Sequence, residues 1–156
     1  MFGRLPKSFF LASGVGDSTT ELNAFDAALL DAGIGDTNLV RLSSILPPSA
    51  TLVTFFDFPK GSLVPLAYGE FISSDPGTLI SASIAVGIPR DDSEAGLIME
   101  HSHIGDPDGC EQIAREMVRE GMENVRGLDI ERIMSVSSSH TVARVGAVFA
   151  AVVLCP

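Results

Sequence analysis

The sequence predicts one domain of mixed α/β class, in which helices cover the outer faces of packed β-sheets. Its 156 residues are enough for a single hydrophobic core, so the predicted domain spans residues 1–156. Two segments carry apolar residues at helical spacing, whereas the other apolar segments are short and are separated by clusters of Gly and Pro. About two helices and many strands are therefore expected.

The first strand and the first helix are predicted near the amino terminus. Residues 8–13, SFFLAS, have the composition of a buried strand. The segment Ser18–Glu21 has the spacing of a capping box, which indicates the start of a helix. The predicted buried face of this helix consists of Leu22, Phe25, Leu29 and Ala32. Gly33 is placed to end the helix in a left-handed conformation.

Two adjacent serines, Ser43 and Ser44, lie at the end of the next predicted strand. Residues 37–46 alternate in polarity like a strand until Pro47 and Pro48 end it. Hydroxyl groups at a strand end are ordinary, so this pair by itself indicates no chemistry.

The rest of the chain is predicted to form further strands and one more helix. The strands are residues 51–56, 63–72, 79–88, 97–99, 130–137 and 142–154. The helix starts near Pro107, because proline suits the first turn of a helix. Its predicted buried side carries Ile113, Met117, Val118 and Met122.

The chain is unusually apolar and acidic for its size. Apolar residues make up 46% of it and charged residues only 19%, with a formal net charge of -10. A small domain of this composition cannot bury all its apolar surface alone, so we expect a homo-oligomer. The acidic balance disfavours nucleic acids and anionic membranes as partners, and it favours a cationic small molecule.

The cysteine spacing and the amino-terminal residues bear on the cellular compartment of the protein. Cys110 and Cys155 do not have the spacing of a metal cage, and the first residues do not resemble a secretory signal. The most apolar run, residues 145–154, is about half as long as the ~20 residues of a membrane-spanning helix. We therefore expect reduced thiols in a cytoplasmic protein.

Histidines provide the first candidates for chemistry. His101 and His103 are two apart on a predicted strand end, so their side chains point the same way, as two metal ligands would. We expect no metal site, because a third ligand does not follow at a telling spacing. His140 stands alone, and a structural role is expected for it.

Two acids provide further candidates. Glu100 ends an apolar run, where a carboxyl group can acquire a raised pKa and act as an acid, although an exposed strand-end glutamate has the same pattern. Asp26 lies on or beside the apolar face of the first helix. It is either a helix-edge side chain that reaches water or a counter-ion for a cationic ligand.

Several segments, taken in order, cover most of the chain and form one recognisable pattern. They are LNAFDAALLDAGIGDTNLVRLSSILPP at 22–48, GSLVPLAYGEFISS at 61–74 and SASIAVGIPRDDSEAGLIME at 81–100. A looser likeness continues in residues 114–118 and in HTVARVGAVFAA at 140–151. Together they resemble the pyruvoyl-dependent arginine decarboxylase family, and the Ser-Ser-Ile-x-Pro-Pro core is specific because members of that family make their cofactor there.

The resemblance implies an α+β fold, a four-layer αββα sandwich of the pyruvoyl-dependent histidine/arginine decarboxylase type. It also implies self-cleavage between Ser43 and Ser44 into chains 1–43 and 44–156. The Ser44 hydroxyl would attack the Ser43 carbonyl, and the resulting ester would eliminate to give a covalent pyruvoyl group from Ser44. Asn38 matches the residue linked to cleavage, and its amide would polarise the attacked carbonyl as a hydrogen-bond donor. The implied assembly is a homotrimer or a dimer of trimers, with active sites between subunits.

The resemblance further implies a lyase that converts L-arginine to agmatine and CO2, a step that serves polyamine biosynthesis or acid resistance. The ketone would form a Schiff base with the substrate amine and accept the electrons released by decarboxylation. Glu100 matches the proton donor, and Asp26 and Ser43 match substrate-binding positions. A carboxylate at Asp26 can bind the planar guanidinium through paired hydrogen bonds.

Two alternatives stay open at this stage. The same scaffold can decarboxylate another amino acid, such as histidine or lysine. The chain can also be an acidic oligomer of the same fold that neither cleaves itself nor catalyses a reaction.

Overall fold

The computed structural model describes residues 5–156, which contain two α-helices and nine β-strands. The elements are β1 (Ser8–Ser18), α1 (Glu21–Asp31), β2 (Asn38–Arg41), β3 (Ile45–Leu46), β4 (Thr51–Leu52), β5 (Leu63–Ser73), β6 (Leu79–Pro89), β7 (Gly96–Ile104), α2 (Pro107–Arg119), β8 (Ile130–Thr141) and β9 (Val145–Cys155). A π-helical segment, Glu120–Val125, continues α2. No helix within residues 5–156 is both long enough and apolar enough to cross a membrane.

The strands form two sheets that pack face to face, a mixed five-stranded sheet and an antiparallel four-stranded sheet. The five-stranded sheet has the order β2-β5-β9-β1-β4, and the four-stranded sheet has the order β3-β7-β6-β8. One apolar cluster fills the space between the sheets, a second lies between α1 and the five-stranded sheet, and a third lies between α2 and the four-stranded sheet. The expected αββα sandwich is therefore confirmed.

Glycines in β1 determine how α1 packs. A Cβ atom at Gly14 would overlap the carbonyl oxygen of Ala28, and one at Gly16 would lie 2.6 Å from the Ala28 amide nitrogen. Because the helix backbone approaches the sheet this closely, small side chains face it. Ala24 and Ala28 are fully buried, whereas Leu22, which the sequence placed on the buried face, is 77% exposed.

The ends of α1 follow capping rules, with one correction. The N-cap is Thr20, whose hydroxyl accepts a hydrogen bond from the Asn23 amide, and not the predicted Ser18. Gly33 follows the helix with a φ of 79°, which confirms the predicted left-handed stop.

The prediction for the buried side of α2 is right in part. The buried residues of the helix are Cys110, Ala114 and Val118, and Met122 is buried in the π-helical continuation, so the predictions for Val118 and Met122 are confirmed. Those for Ile113 and Met117 are wrong, because these side chains are 40% and 38% exposed. Three small or branched side chains spaced four apart make a narrow stripe that fits the sheet. The Asp106 carboxylate caps the helix by accepting the Gly109 amide at 2.7 Å.

The single strand predicted for residues 37–46 is wrong, because the chain changes sheets within it. β2 pairs with β5 in the five-stranded sheet, and β3 pairs with β7 in the four-stranded sheet. The apolar residues on either side of the serines contribute to the cluster between the sheets from different layers. Alternating polarity is the same in one long strand and in two short strands, so the pattern did not reveal the crossover.

His140 has the structural contact expected of it. Its Nε2 lies 2.8 Å from an Asp17 carboxylate oxygen, which links β8 to β1. Asp17 also accepts the amides of Ala143 and Arg144 in the turn before β9. These backbone hydrogen bonds, with the contact to His140, hold the pKa of Asp17 below its ordinary value. Cys110 and Cys155 are both buried and free of disulfide bonds.

Candidate active site

The crossover between the sheets places Ser43 and Ser44 under opposing restraints. The Leu42 amide donates to the carbonyl oxygen of Leu66 in β5 at 2.9 Å. The Ser44 carbonyl oxygen accepts the amide of Ile98 in β7, also at 2.9 Å. Only Ser43, which is exposed, separates these two anchored positions. The chain must therefore turn sharply at the serine pair.

Ser44 accommodates this turn with a φ of 74°, in the left-handed region. This conformation costs a residue other than glycine about 1–2 kcal/mol. Such strain persists only where the surrounding structure fixes the backbone, and here both neighbouring segments are paired to sheets. The strained residue, Ser44, is the one whose hydroxyl group the family resemblance implies as the nucleophile.

The positive φ changes what the Ser44 side chain can reach. In an L-residue, the torsion angle from the preceding carbonyl carbon through N and Cα to Cβ equals φ minus about 120°. It is therefore about −46° at Ser44, whereas a residue with a helical φ has a value near 180°. The first value brings the Ser44 Cβ toward the carbonyl carbon of Ser43, whereas the second points it away. A five-membered ring through the Ser44 Oγ and that carbon can close only when this torsion is small.

Glu100 lies on the strand that anchors Ser44. It is two residues beyond Ile98, about 7 Å along β7. Its side chain faces the gap between the sheets beside Gly69 of β5, where a glycine Cβ would be 3.1 Å from the Glu100 Cβ. The Glu100 side chain is 32% exposed. The lack of a side chain at Gly69 leaves room for Glu100 in the gap between the sheets.

Arg41 connects Glu100 to the edge of the five-stranded sheet. Its guanidinium donates to the carbonyl oxygen of Tyr68 at 2.9 Å and lies 3.5 Å from a Glu100 carboxylate oxygen. The same group stacks over the Tyr68 ring, 4.3 Å from its centroid. Sequence reasoning did not single out Arg41 or Tyr68, although an arginine two residues before the serine pair was the available signal.

Glu70 is a second acid near Arg41. It lies in β5 on the face that carries Tyr68 and contacts α1. Burial raises the pKa of Glu70, and the positive charge of Arg41 opposes that rise in part. Sequence reasoning missed this residue, although a charged residue in an otherwise apolar strand was a usable signal.

Asp26 does not reach the serine pair within this chain. It is exposed on α1, one turn from Leu22 and one turn from Leu30, which are 77% and 56% exposed. The three residues form an exposed stripe at spacing i, i+4, i+8, with an acid between two leucines. In the single chain, Asp26 is therefore a helix-edge side chain that reaches water, which is the first of the two alternatives considered for it.

Asn38 is also distant from the serine pair. Its side-chain amide donates to the Gly61 carbonyl oxygen at 3.0 Å, at the opposite end of β2. The extended backbone from Asn38 to Leu42 spans about 13 Å, too far for this amide to contact the Ser43 carbonyl. Next to Asn38 in the sheet lies Leu63, which is 50% exposed. Within one chain, Glu100 thus lies on the strand that anchors Ser44, whereas Asp26 and Asn38 make no hydrogen bond with the serine pair in residues 5–156.

Replacing Arg41 with glutamine should raise the pKa of Glu70 further, because the change removes the charge that favours the ionised carboxylate. Carbon NMR titration of the side-chain carboxyl groups measures this shift. A raised pKa means that the associated stability is present at acid pH and is lost as the pH rises through that pKa. The variant should therefore lose more stability than the parent chain above about pH 4. Arg126→Gln is the exposed-arginine control, and an unchanged Glu70 titration in Arg41→Gln would contradict the assignment.

Comparison with known proteins gives a consistent result over nearly the whole chain. The family model described as "Pyruvoyl-dependent arginine decarboxylase (PvlArgDC)" matches residues 8–156. The pyruvoyl-dependent arginine decarboxylases of Methanococcus aeolicus and Methanocaldococcus jannaschii are each 48% identical over 151 residues, covering 97% of this chain and 91% of the relative. A protein of the same name from Methanococcus maripaludis is 46% identical over 149 residues, covering 96% and 90%. The chain therefore belongs to the pyruvoyl-dependent arginine decarboxylase family.

Proposed function

We propose that this chain decarboxylates L-arginine to agmatine and CO2, with a pyruvoyl group made from its own Ser44. The observation that carries the proposal is the left-handed backbone of Ser44 at the crossover between the sheets, beside the strand of Glu100. The family names of the relatives supply the substrate and the type of cofactor. The geometry supplies a physical reason for the reaction at this bond.

Self-cleavage begins with attack of the Ser44 Oγ on the Ser43 carbonyl carbon. The C–N bond breaks as a C–O ester bond forms, and the hydroxyl proton passes to the nitrogen. Elimination then releases the Ser43 carboxylate and leaves dehydroalanine at residue 44, which water converts to a pyruvoyl group with loss of ammonia. The positive φ of Ser44, which turns its Cβ toward the Ser43 carbonyl carbon, supports this first step. Relief of about 1–2 kcal/mol of backbone strain favours opening of the bond.

The residues around Ser44 fit a pyruvoyl group at that position. Such a group supplies a ketone that condenses with the substrate amine and accepts the electron pair left by CO2. The amide of Ile98 holds the carbonyl of residue 44 in place on β7. Glu100, on the same strand, faces the same gap and is placed to give a proton to the substrate carbon.

Arg41 controls the position of Glu100 before a substrate enters. Its guanidinium is held by the Tyr68 carbonyl and stacks on the Tyr68 ring, so it is fixed more firmly than an ordinary exposed arginine. The ion pair with Glu100 is long, at 3.5 Å, and both side chains are partly exposed. It therefore contributes little to stability and serves to orient the carboxyl group.

Substrate recognition is assigned to Asp26, together with the new carboxyl terminus at Ser43. The carboxylate of Asp26 can accept two parallel hydrogen bonds from the guanidinium of arginine, which the ammonium of lysine cannot provide in the same geometry. The exposed leucines beside Asp26 would exclude water from this contact once another surface covers them.

That covering surface is provided by a second copy of the chain in a homotrimer or a dimer of trimers. The two site residues that lie away from the serine pair, Asp26 and Asn38, each stand beside large exposed apolar side chains. A ring-forming interface joins two different patches, so one subunit can present Ser44 and Glu100 while its neighbour presents Asp26 and Asn38. In that arrangement the Asn38 amide can donate to the neighbour's Ser43 carbonyl during cleavage.

Ser44→Ala should leave the chain uncut and inactive, because an alanine has neither the nucleophilic oxygen nor the leaving group. Denaturing electrophoresis and CO2 release measure the two effects. Ser49→Ala is the matched control, since Ser49 also has a positive φ, of 57°, but lies outside the proposed site. Cleavage or activity that persists in Ser44→Ala would refute the proposal.

The choice of substrate is tested by CO2 release from arginine, lysine and histidine. Arginine should give the highest kcat/KM, and Asp26→Asn should lower that value about ten- to a hundredfold, as expected for loss of a charged hydrogen bond. Glu21→Gln removes an exposed acid from the same helix and serves as the control. A preference for lysine or histidine would support the alternative substrates, and an uncut chain without activity would support the non-catalytic oligomer.

A shared active site predicts complementation between inactive subunits. Every trimer that contains both Asp26→Asn and Glu100→Gln chains should have both residues intact at about a third of its sites, and activity should rise accordingly. Purification through two different affinity tags isolates the mixed assemblies. If the mixture is no more active than its parents, the two residues do not meet across an interface.

A further inference from the structure

A second polar cluster lies on the other face of β7, under the first turns of α2. His101 and His103 follow Glu100 on the strand, and their pairing partners in β6 are Ser83 and Ser81. Cys110 reaches the same place from α2 and is fully buried. One ligand atom from each of His101, His103 and Cys110 lies within 4.8 Å of the others. From the sequence we expected no metal site, because a third ligand did not follow the two histidines at a telling spacing. The fold brings Cys110 to that position.

The imidazole rings are already oriented by the protein. The two rings stand nearly perpendicular, at 88°, with their centroids 5.2 Å apart. His103 Nε2 lies 2.9 Å from the Asp106 carbonyl oxygen, which leaves Nδ1 free. A hydrogen bond from one ring nitrogen to a backbone carbonyl is the usual way in which proteins fix a metal-binding histidine.

A buried hydroxyl gives an independent indication that the cluster is incomplete. Ser83 Oγ is inaccessible to water and has no hydrogen-bond partner among the described residues. It lies on the strand paired with β7, opposite His101, and is close to the Cys110 thiol. An unpartnered buried hydroxyl is rare, because leaving it so costs about 1–3 kcal/mol.

We propose that His101, His103 and Cys110 bind one transition-metal ion of the zinc class. Two imidazole nitrogens and one thiolate suit borderline-soft ions such as Zn2+, and not Mg2+ or Ca2+. Bonds of about 2.0–2.3 Å place tetrahedral ligands roughly 3.3–3.8 Å apart, so these three need to approach by about 1 Å. The fourth position is available to water or to the Ser83 hydroxyl.

Metal binding must overcome one cost at this site. Burial raises the pKa of the Cys110 thiol, which also donates to the His101 carbonyl oxygen at 3.3 Å. The ion must displace that proton and end this hydrogen bond. Deprotonation of thiols by bound metal is general, and it explains why such sites release a proton when they are filled.

The site joins β7 to α2, directly behind the residue proposed as the proton donor. A bound ion would fix the backbone of β7 one residue after Glu100. The inference does not depend on the proposed decarboxylation, because the three ligands lie on the opposite face of the sheet from the serine pair. The experiment that tests the metal site therefore measures metal binding and not decarboxylase activity.

The experiment uses the purified full chain, stripped with a chelator and titrated with Zn2+ in a calorimeter. Co2+ serves as a second probe, since a thiolate ligand gives a charge-transfer absorption band. We expect one Zn2+ per chain and a thiolate band with Co2+. Cys110→Ser and His103→Gln should each weaken Zn2+ binding about tenfold or more, whereas Cys155→Ser, a change at the other buried thiol, should not.

The outcomes separate the possibilities. Circular dichroism first confirms that each variant is folded, and the partly exposed His103 provides a milder change than the buried Cys110. Absence of Zn2+ binding, binding without a thiolate band, or equal affinity in all variants would each overturn the proposal. Loss of processing or activity in Ser44→Ala has no bearing on this result, so failure of the proposed function would be distinguishable.

Discussion

The structure depends on one constraint, the transfer of the chain from one sheet to the other across a single unpaired residue. Leu42 is hydrogen-bonded to the five-stranded sheet and Ser44 to the four-stranded sheet. The apolar cluster between the sheets fixes the distance between these anchors. The backbone has no freedom to relax at Ser44, and its left-handed conformation is therefore a property of the whole sandwich and not of a local loop.

The layers around this point are packed closely enough to maintain the strain. Glycines at two interfaces allow close approach: Gly14 and Gly16 under α1, and Gly69 beside Glu100. Interiors packed in this way deform little, so energy stored at one residue is not lost to its neighbours. The gap at Gly69 leaves room for Glu100, which lies on the strand that anchors Ser44. Cleavage would separate the two anchors, which would leave each sheet intact with its own end of the chain.

Much of this arrangement could be predicted from the sequence, and the failures have physical causes. Gly33 ended α1 as expected, because a left-handed stop has a local signal. The crossover at Ser43 and Ser44 had none, since two short strands in different sheets alternate in polarity as one strand does. The exposure of Leu22 depends on glycines in another element, which periodicity within a helix cannot register. Cys110 joined His101 and His103 only through the tertiary fold.

The most direct test of the account is the intact mass of the freshly purified wild-type protein, measured before and after treatment with borohydride. The account predicts two polypeptides, residues 1–43 and residues 44–156, with the second beginning in a pyruvoyl group that gains the mass of two hydrogen atoms on reduction. A single uncut chain of 156 residues, with a mass that borohydride leaves unchanged, would contradict it.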